Sequence, residues 1–147
     1  MPEQPRQNPE STQSFKDDYR AQLSAMIDGV RPDELEAIGA LPSGSALLIV
    51  RRGPNAGARF LLDRDTTVAG RHPDADIFLD DVTVSRKHAE FLRSGTSFEV
   101  RDLGSLNGTY FNGERIEREP LVDGAEVQVG KYRLTFYASR ADTATSA

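Results

Sequence analysis

The chain has 147 residues, no cysteine and a net charge of −5 at neutral pH, and 37% of its side chains are hydrophobic. That length supports one domain with its own core plus a short appendage. The missing cysteine excludes disulfides, thiolate metal sites and cysteine nucleophiles together, and the acidic balance argues against a nucleic-acid partner. The longest apolar run, Ala46-Leu47-Leu48-Ile49-Val50, is far too short to span a bilayer. Met1-Pro2-Glu3-Gln4 lacks the basic-then-apolar start of a signal peptide. A cytoplasmic protein with no membrane partner is therefore expected. The charge is uneven: residues 1–44 carry eight acidic and four basic side chains, and the remainder fifteen and fourteen.

Residues 1–14 are Pro, Gln, Asn, Ser and charge, a composition that cannot bury enough surface to offset ordering entropy, so disorder is expected there. A short helix is expected over 15–28. Ser14 can cap it with Asp17 three residues on, Phe15, Tyr19, Leu23 and Met26/Ile27 recur at helical spacing, and Gly29 is a stop. A further amphipathic turn runs from Pro32 to Ile38, ended by Gly39. Residues 1–44 thus read as a flexible, partly helical tail.

From Ser45 the period changes to two. Candidate strands are Ala46–Val50, Arg59–Leu62, Thr66–Gly70, Asp76–Leu79, Lys87–Arg93, Ser97–Asp102, Thr109–Asn112, Glu126–Val129 and Tyr132–Ala138. Turn residues punctuate them, among them Gly53-Pro54-Asn55-Ala56-Gly57, Asn107-Gly108, Asn112-Gly113 and Asp123-Gly124. Many short strands at this spacing predict an all-β domain over 45–138, with residues 139–147 a disordered C-terminus. No helix-length periodicity interrupts it, which argues against a βαβ enzyme.

Three elements carry chemistry: Gly70-Arg71 at a strand end, Ser85-Arg86-Lys87-His88 leading into a strand, and Leu106-Asn107-Gly108-Thr109 followed by Asn112-Gly113. Taken singly, each has an ordinary explanation. Asn-Gly is a common hairpin turn, Ser-Arg in a loop is usually solvated, and a histidine opening an apolar strand is usually structural. Together, in this order and spacing, they resemble the forkhead-associated (FHA) family. The resemblance implies a β-sandwich of about eleven mostly antiparallel strands that binds phosphothreonine. It places Arg71, Ser85, Arg86 and Asn107 at the phosphopeptide, with Gly70, His88 and Gly108 supporting them. The chemistry is coherent. A phosphothreonine brings about −1.5 to −2 charges and three acceptor oxygens. Arg71 offers a planar fork, Ser85 a hydroxyl and a backbone N–H, Arg86 further charge, and Asn107 an amide that can fix a peptide's register. The resemblance also implies preference for phosphothreonine over phosphoserine.

Pro42-Ser43-Gly44-Ser45, Gly53-Pro54-Asn55-Ala56-Gly57 and Asp76-Ile77-Phe78-Leu79-Asp80-Asp81-Val82-Thr83-Val84-Ser85-Arg86 further resemble the actinobacterial GarA/OdhI group of small FHA regulators. That resemblance implies binding and inhibition of the 2-oxoglutarate dehydrogenase component, action on glutamate dehydrogenase and glutamate synthase, and phosphorylation of a tail threonine by a Ser/Thr protein kinase. The domain then binds its own phosphorylated tail. The group's Glu-Thr-Thr-Ser-Val-Phe stands here as Glu10-Ser11-Thr12-Gln13-Ser14-Phe15. Thr12 is the expected phosphorylation site, with Ser11 second to it. Thr12 lies 33 residues before Ser45, a flexible span of roughly 30 Å, enough to reach either end of a domain whose radius of gyration is about 13 Å.

Two other readings are possible for these residues. An enzyme would need a site that is missing here: Gly124 to Lys131 mimics a P-loop with the wrong spacing and Tyr132 in place of the hydroxyl residue. No cofactor is expected, and Asp74, Asp76, Asp80 and Asp81 read as solvated carboxylates rather than a metal site. An FHA adaptor joining a kinase to other phosphoprotein clients is the alternative function.

Overall fold

In the computed structural model, residues 30–144 are described here. The helix expected at 15–28 and the sites Ser11 and Thr12 lie outside them. The chain divides after Ala37 into two compact units. The described part of the first unit opens helix α1 (Pro32–Gly39). Proline suits the first helical position, where its missing N–H is no loss. Asp33 and Glu34 place acidic charge at the positive end, and the Glu34 carboxylate accepts the Arg31 N–H at 2.9 Å.

The second unit is a β-sandwich. Its strands are β1 (Ala46–Arg52), β2 (Arg59–Leu62), β3 (Thr66–Gly70), β4 (Ile77–Phe78), β5 (Ala89–Ser94), β6 (Ser97–Asp102), β7 (Thr109–Phe111), β8 (Glu114–Ile116), β9 (Arg118–Pro120), β10 (Glu126–Val129) and β11 (Tyr132–Ala138). They form a six-stranded sheet in the order β2-β1-β11-β10-β7-β8 and a five-stranded sheet in the order β4-β3-β5-β6-β9. Every described pairing is antiparallel except β3 with β4. Inward-facing residues at period two build the core: Leu48 and Val50 of β1, Val127 and Val129 of β10, and Tyr132, Leu134 and Phe136 of β11. Across from them lie Ala69, Phe91, Phe98 and Val100. Phe98 and Phe136 join the two layers, with ring centroids 5.5 Å apart in a tilted pair. Strand β1 is buried on both faces over Ala46–Val50, which is why it reads as an unbroken apolar run.

Strands β8 and β9 are not among the nine runs read from the sequence. They are three residues each, mostly charged, and lie at the two sheet edges, where one-sided pairing leaves little apolar pattern. The sandwich unit also extends beyond 45–138. It begins at Ile38. The Asp142 carboxylate accepts from Ser43 Oγ at 2.6 Å and from the Gly44 N–H at 2.8 Å. Ser139 Oγ donates to Leu41 O at 2.9 Å. These bonds hold a short helix, α2 (Arg140–Ala144), where a disordered C-terminus was expected. No described helix is long and apolar enough to cross a membrane.

Candidate functional site

The loops β3–β4, β4–β5 and β6–β7 and the turn β10–β11 emerge from one end of the sandwich and bond to one another there. Arg71 follows β3. Its backbone N–H donates to Ser85 O at 3.0 Å, and His72 N–H donates to Arg86 O at 3.2 Å, stitching β3–β4 to β4–β5. Gly70 makes that approach possible: a Cβ there would stand 2.0 Å from Arg86 O.

His88 binds two further loops. The ring is fully buried. Its Nδ1 accepts the Ser85 N–H at 3.0 Å, so the proton sits on Nε2, which donates to Gly108 O at 2.8 Å. Burial, opposed by Gly108 and Asp102, pushes the imidazole below its usual pKa of 6.5, keeping it neutral and able to accept at Nδ1. The arrangement corrects one expectation: the Ser85 N–H is spent on His88 and cannot reach a ligand.

The side chains aimed outward keep the capacity that matters. Arg71 Nε donates to Val84 O at 3.1 Å, which aims the guanidinium and leaves its two terminal nitrogens without a hydrogen bond among the described residues. Ser85 Oγ accepts the Leu106 N–H at 3.0 Å, so its hydroxyl proton remains available. Asn107 Nδ2 donates to Thr83 O at 2.9 Å, leaving the amide oxygen and one N–H. Arg71, Arg86 and Asn107 are exposed and Ser85 is half-buried. Neither Arg71 nor Arg86 meets a carboxylate among the described residues. Arg71, Ser85 and Asn107 thus stand on loops bonded to one another, and Arg86 lines a neighbouring cavity with His72, Asp74, Asp76 and Lys87.

Sequence reasoning missed the residues that stiffen these loops. Asp102 takes four donors: Ser105 Oγ at 2.5 Å and Thr109 Oγ1 at 2.7 Å on one oxygen, and the Gly104 and Ser105 N–H groups at 3.0 Å on the other. Burial pushes that carboxyl up, but the Ser105, Thr109 and Gly104 bonds outweigh it and hold it below its ordinary range. Ser105 Oγ also accepts the Gly108 N–H at 2.9 Å. In the neighbouring loop Thr83 donates through Oγ1 and N–H to Asp81, which lowers the Asp81 carboxyl. Thr83 Oγ1 accepts the Lys131 N–H at 3.0 Å. The run Asp102-Leu103-Gly104-Ser105 is the available signal, since Asp followed by Gly and Ser favours such side-chain-to-backbone turns.

The neutral His88 makes the loop clasp pH-dependent. The folded ring resists a proton that the unfolded chain accepts near pH 6.5, so its stabilisation is complete above pH 6.5 and is lost as pH falls below it. Thermal melts between pH 8 and 5 are expected to show a falling melting temperature over the acid part of that range. The slope should flatten in His88→Gln.

This frame and loop end define an FHA domain, and residues 67–130 match the FHA domain family. The glycogen accumulation regulator GarA of Mycolicibacterium smegmatis is 57% identical over 127 residues, 86% of this chain and 80% of that protein. The oxoglutarate dehydrogenase inhibitor of Corynebacterium jeikeium is 56% identical over 133 residues, 90% of each chain. The chain belongs to the FHA family that contains these regulators. Among solved structures, the FHA domain of the CT664 protein from Chlamydia trachomatis covers 63% of this chain and 96% of its own, at 34% identity and a TM-score of 0.60. An FHA domain solved in work on phosphothreonine-dependent FHA interactions covers 63% and 95%, at 29% identity and a TM-score of 0.59.

Proposed function

We propose that this protein reads phosphothreonine through Arg71, Ser85, Arg86 and Asn107, and that it regulates 2-oxoglutarate metabolism by binding rather than by turnover. The observation that carries the reading is the loop end itself. Arg71 and Arg86 meet no carboxylate among the described residues, and Ser85, whose oxygen accepts the Leu106 N–H, keeps a hydroxyl proton to donate. A phosphate dianion supplies the missing acceptors, and charge-assisted bonds of this kind are the strong ones. Gly70, His88 and Gly108 serve the site by holding its loops at contact distance.

The relatives named as an oxoglutarate dehydrogenase inhibitor and as GarA support a cytoplasmic regulator whose client is the 2-oxoglutarate dehydrogenase component, with glutamate dehydrogenase and glutamate synthase as further clients. In this reading residues 1–44 form the regulatory tail and residues 45–138 the reader. A Ser/Thr kinase modifies Thr12, and the phosphorylated segment occupies the site in the same molecule, releasing the client. Ser11 lacks the methyl group of a threonine and is the weaker substitute.

The test compares the full chain before and after kinase treatment. The unphosphorylated protein is expected to inhibit 2-oxoglutarate dehydrogenase, and the phosphorylated one to lose at least about tenfold in potency, a modest demand on an intramolecular competitor at an effective concentration near a millimolar. Thr12→Ala should inhibit whether or not kinase is present. Equal inhibition by phosphorylated and unphosphorylated wild-type protein would remove the switch. Capture of other phosphoproteins without inhibition would favour the adaptor.

A further inference from the structure

The outer face of the six-stranded sheet carries a row of arginines that the phosphate site does not use. Register places it across five strands. Arg52 of β1 pairs with Arg133 of β11, Arg133 with Gln128 of β10, Gln128 with Tyr110 of β7, and Tyr110 with Arg115 of β8. The neighbours Leu134, Val127, Val129 and Thr109 are buried, so the alternation turns this row away from the core. A bulge between Val50 and Arg52 adds Arg51 on β1, whose guanidinium bonds the Tyr137 hydroxyl at 3.0 Å and stacks on its ring.

The other sheet handles its arginines differently. Arg93 meets Asp65, Arg101 meets Glu90 and Arg118 meets Glu99. Arg52, Arg115 and Arg133 meet no carboxylate among the described residues. Like charges directly opposite on neighbouring strands weaken a sheet, and Arg52 faces Arg133. The isolated fold gains nothing from that pair.

We infer that this row is a second docking surface, built for an acidic segment of a protein partner; its Arg115 end packs against Gly108, beside Asn107, and its Arg52–Arg133 end lies on strands that carry no residue of the phosphate site. Strands lie about 4.8 Å apart, so the three steps from Arg133 to Arg115 span about 14 Å. An extended peptide covers that in about four residues, which sets carboxylates at positions i and i+4 over the two ends of the row. Gln128, whose Nε2 already donates to Gly130 O at 3.2 Å, supplies an amide oxygen and its second N–H for the intervening backbone, and Tyr110 supplies a phenol. Arginine and tyrosine are also the residues enriched in protein interfaces. The positive charge is one row deep. Glu126, which pairs with Thr135, and Glu114, which pairs with Phe111, lie on the same two hairpins within two residues of it. Such flanks admit a narrow acidic strand and repel the broad polyanionic faces of nucleic acid or membrane.

The probe is an octaglutamate peptide added to the full chain, with arginine Nε–Hε and backbone amide NMR signals followed at 50 mM salt. Arg52, Arg133 and Arg115 Nε–Hε signals are expected to shift with the Tyr110 and Gln128 amides, while the Arg71 and Ser85 amides stay fixed. Arg133→Gln should weaken octaglutamate at least tenfold, leave phosphothreonine-peptide affinity unchanged, and melt no lower than wild type because the opposed charge is gone. Shifts confined to Arg71 and Arg86, no shifts at all, or equally tight binding of an eight-nucleotide single strand at the row would each overturn the inference.

Discussion

Arg71→Ala is expected to reduce affinity for a phosphothreonine peptide by at least about a hundredfold while the protein stays folded. Two charge-assisted bonds from one guanidinium carry about 1.5–3 kcal/mol each when they go to a charged acceptor, and every 1.4 kcal/mol is tenfold in affinity. The fold loses little. The backbone N–H of residue 71 still reaches Ser85 O, and only the side-chain bond to Val84 O disappears from an exposed position. Arg71→Lys should recover a small part of the loss, because an ammonium keeps the charge without the fork. Calorimetric titration of both variants, with circular dichroism to confirm folding, checks this. Wild-type affinity in Arg71→Ala would remove the residue from the site.

The second large effect belongs to Gly70→Ala. The added carbon would stand 2.0 Å from Arg86 O, 2.8 Å from Arg86 C and 3.2 Å from Lys87 Cα. All three are backbone atoms, so no rotamer change relieves the clash. Strand and loop must part, which breaks the His72-to-Arg86 bond and moves Arg86 off the site. Overpacking costs typically about 1–3 kcal/mol and more where the neighbour cannot yield, so a loss near 3 kcal/mol and a melting temperature lower by at least about 10 °C are expected. Gly39→Ala is the control: among the described residues no atom beyond its own helix lies within 4 Å of the added carbon, and the variant should melt at or above wild type.

The strands that build the core were legible because their alternation is strong: Phe98-Glu99-Val100 and Tyr132-Arg133-Leu134-Thr135-Phe136 leave no other period. Edge strands β8 and β9 were not, since Glu114-Arg115-Ile116 and Arg118-Glu119-Pro120 pack on one side only and look like polar loop. Bonds over long separations were equally hidden. Nothing local in Asp142 announces that it holds Ser43 and Gly44. At the site, Arg71, Ser85, Arg86 and Asn107 stood out only as a spaced set. The donor allocation did not: the Ser85 N–H turns to His88 and one Asn107 amide proton to Thr83. Those partners come from separate loops, and periodicity carries no information about them.

The most direct trial compares three matched peptides on the full chain, carrying threonine, phosphoserine or phosphothreonine at one position. Backbone amide and arginine side-chain signals are followed by NMR. The phosphothreonine peptide should bind tightest and displace the resonances of residues 71, 85, 86 and 107. Unmodified threonine should leave them still. Phosphoserine should be weaker by a few-fold or more, the buried methyl alone contributing about 0.8 kcal/mol. A phosphothreonine peptide that leaves those four resonances in place, in a sample that remains folded, would contradict the account.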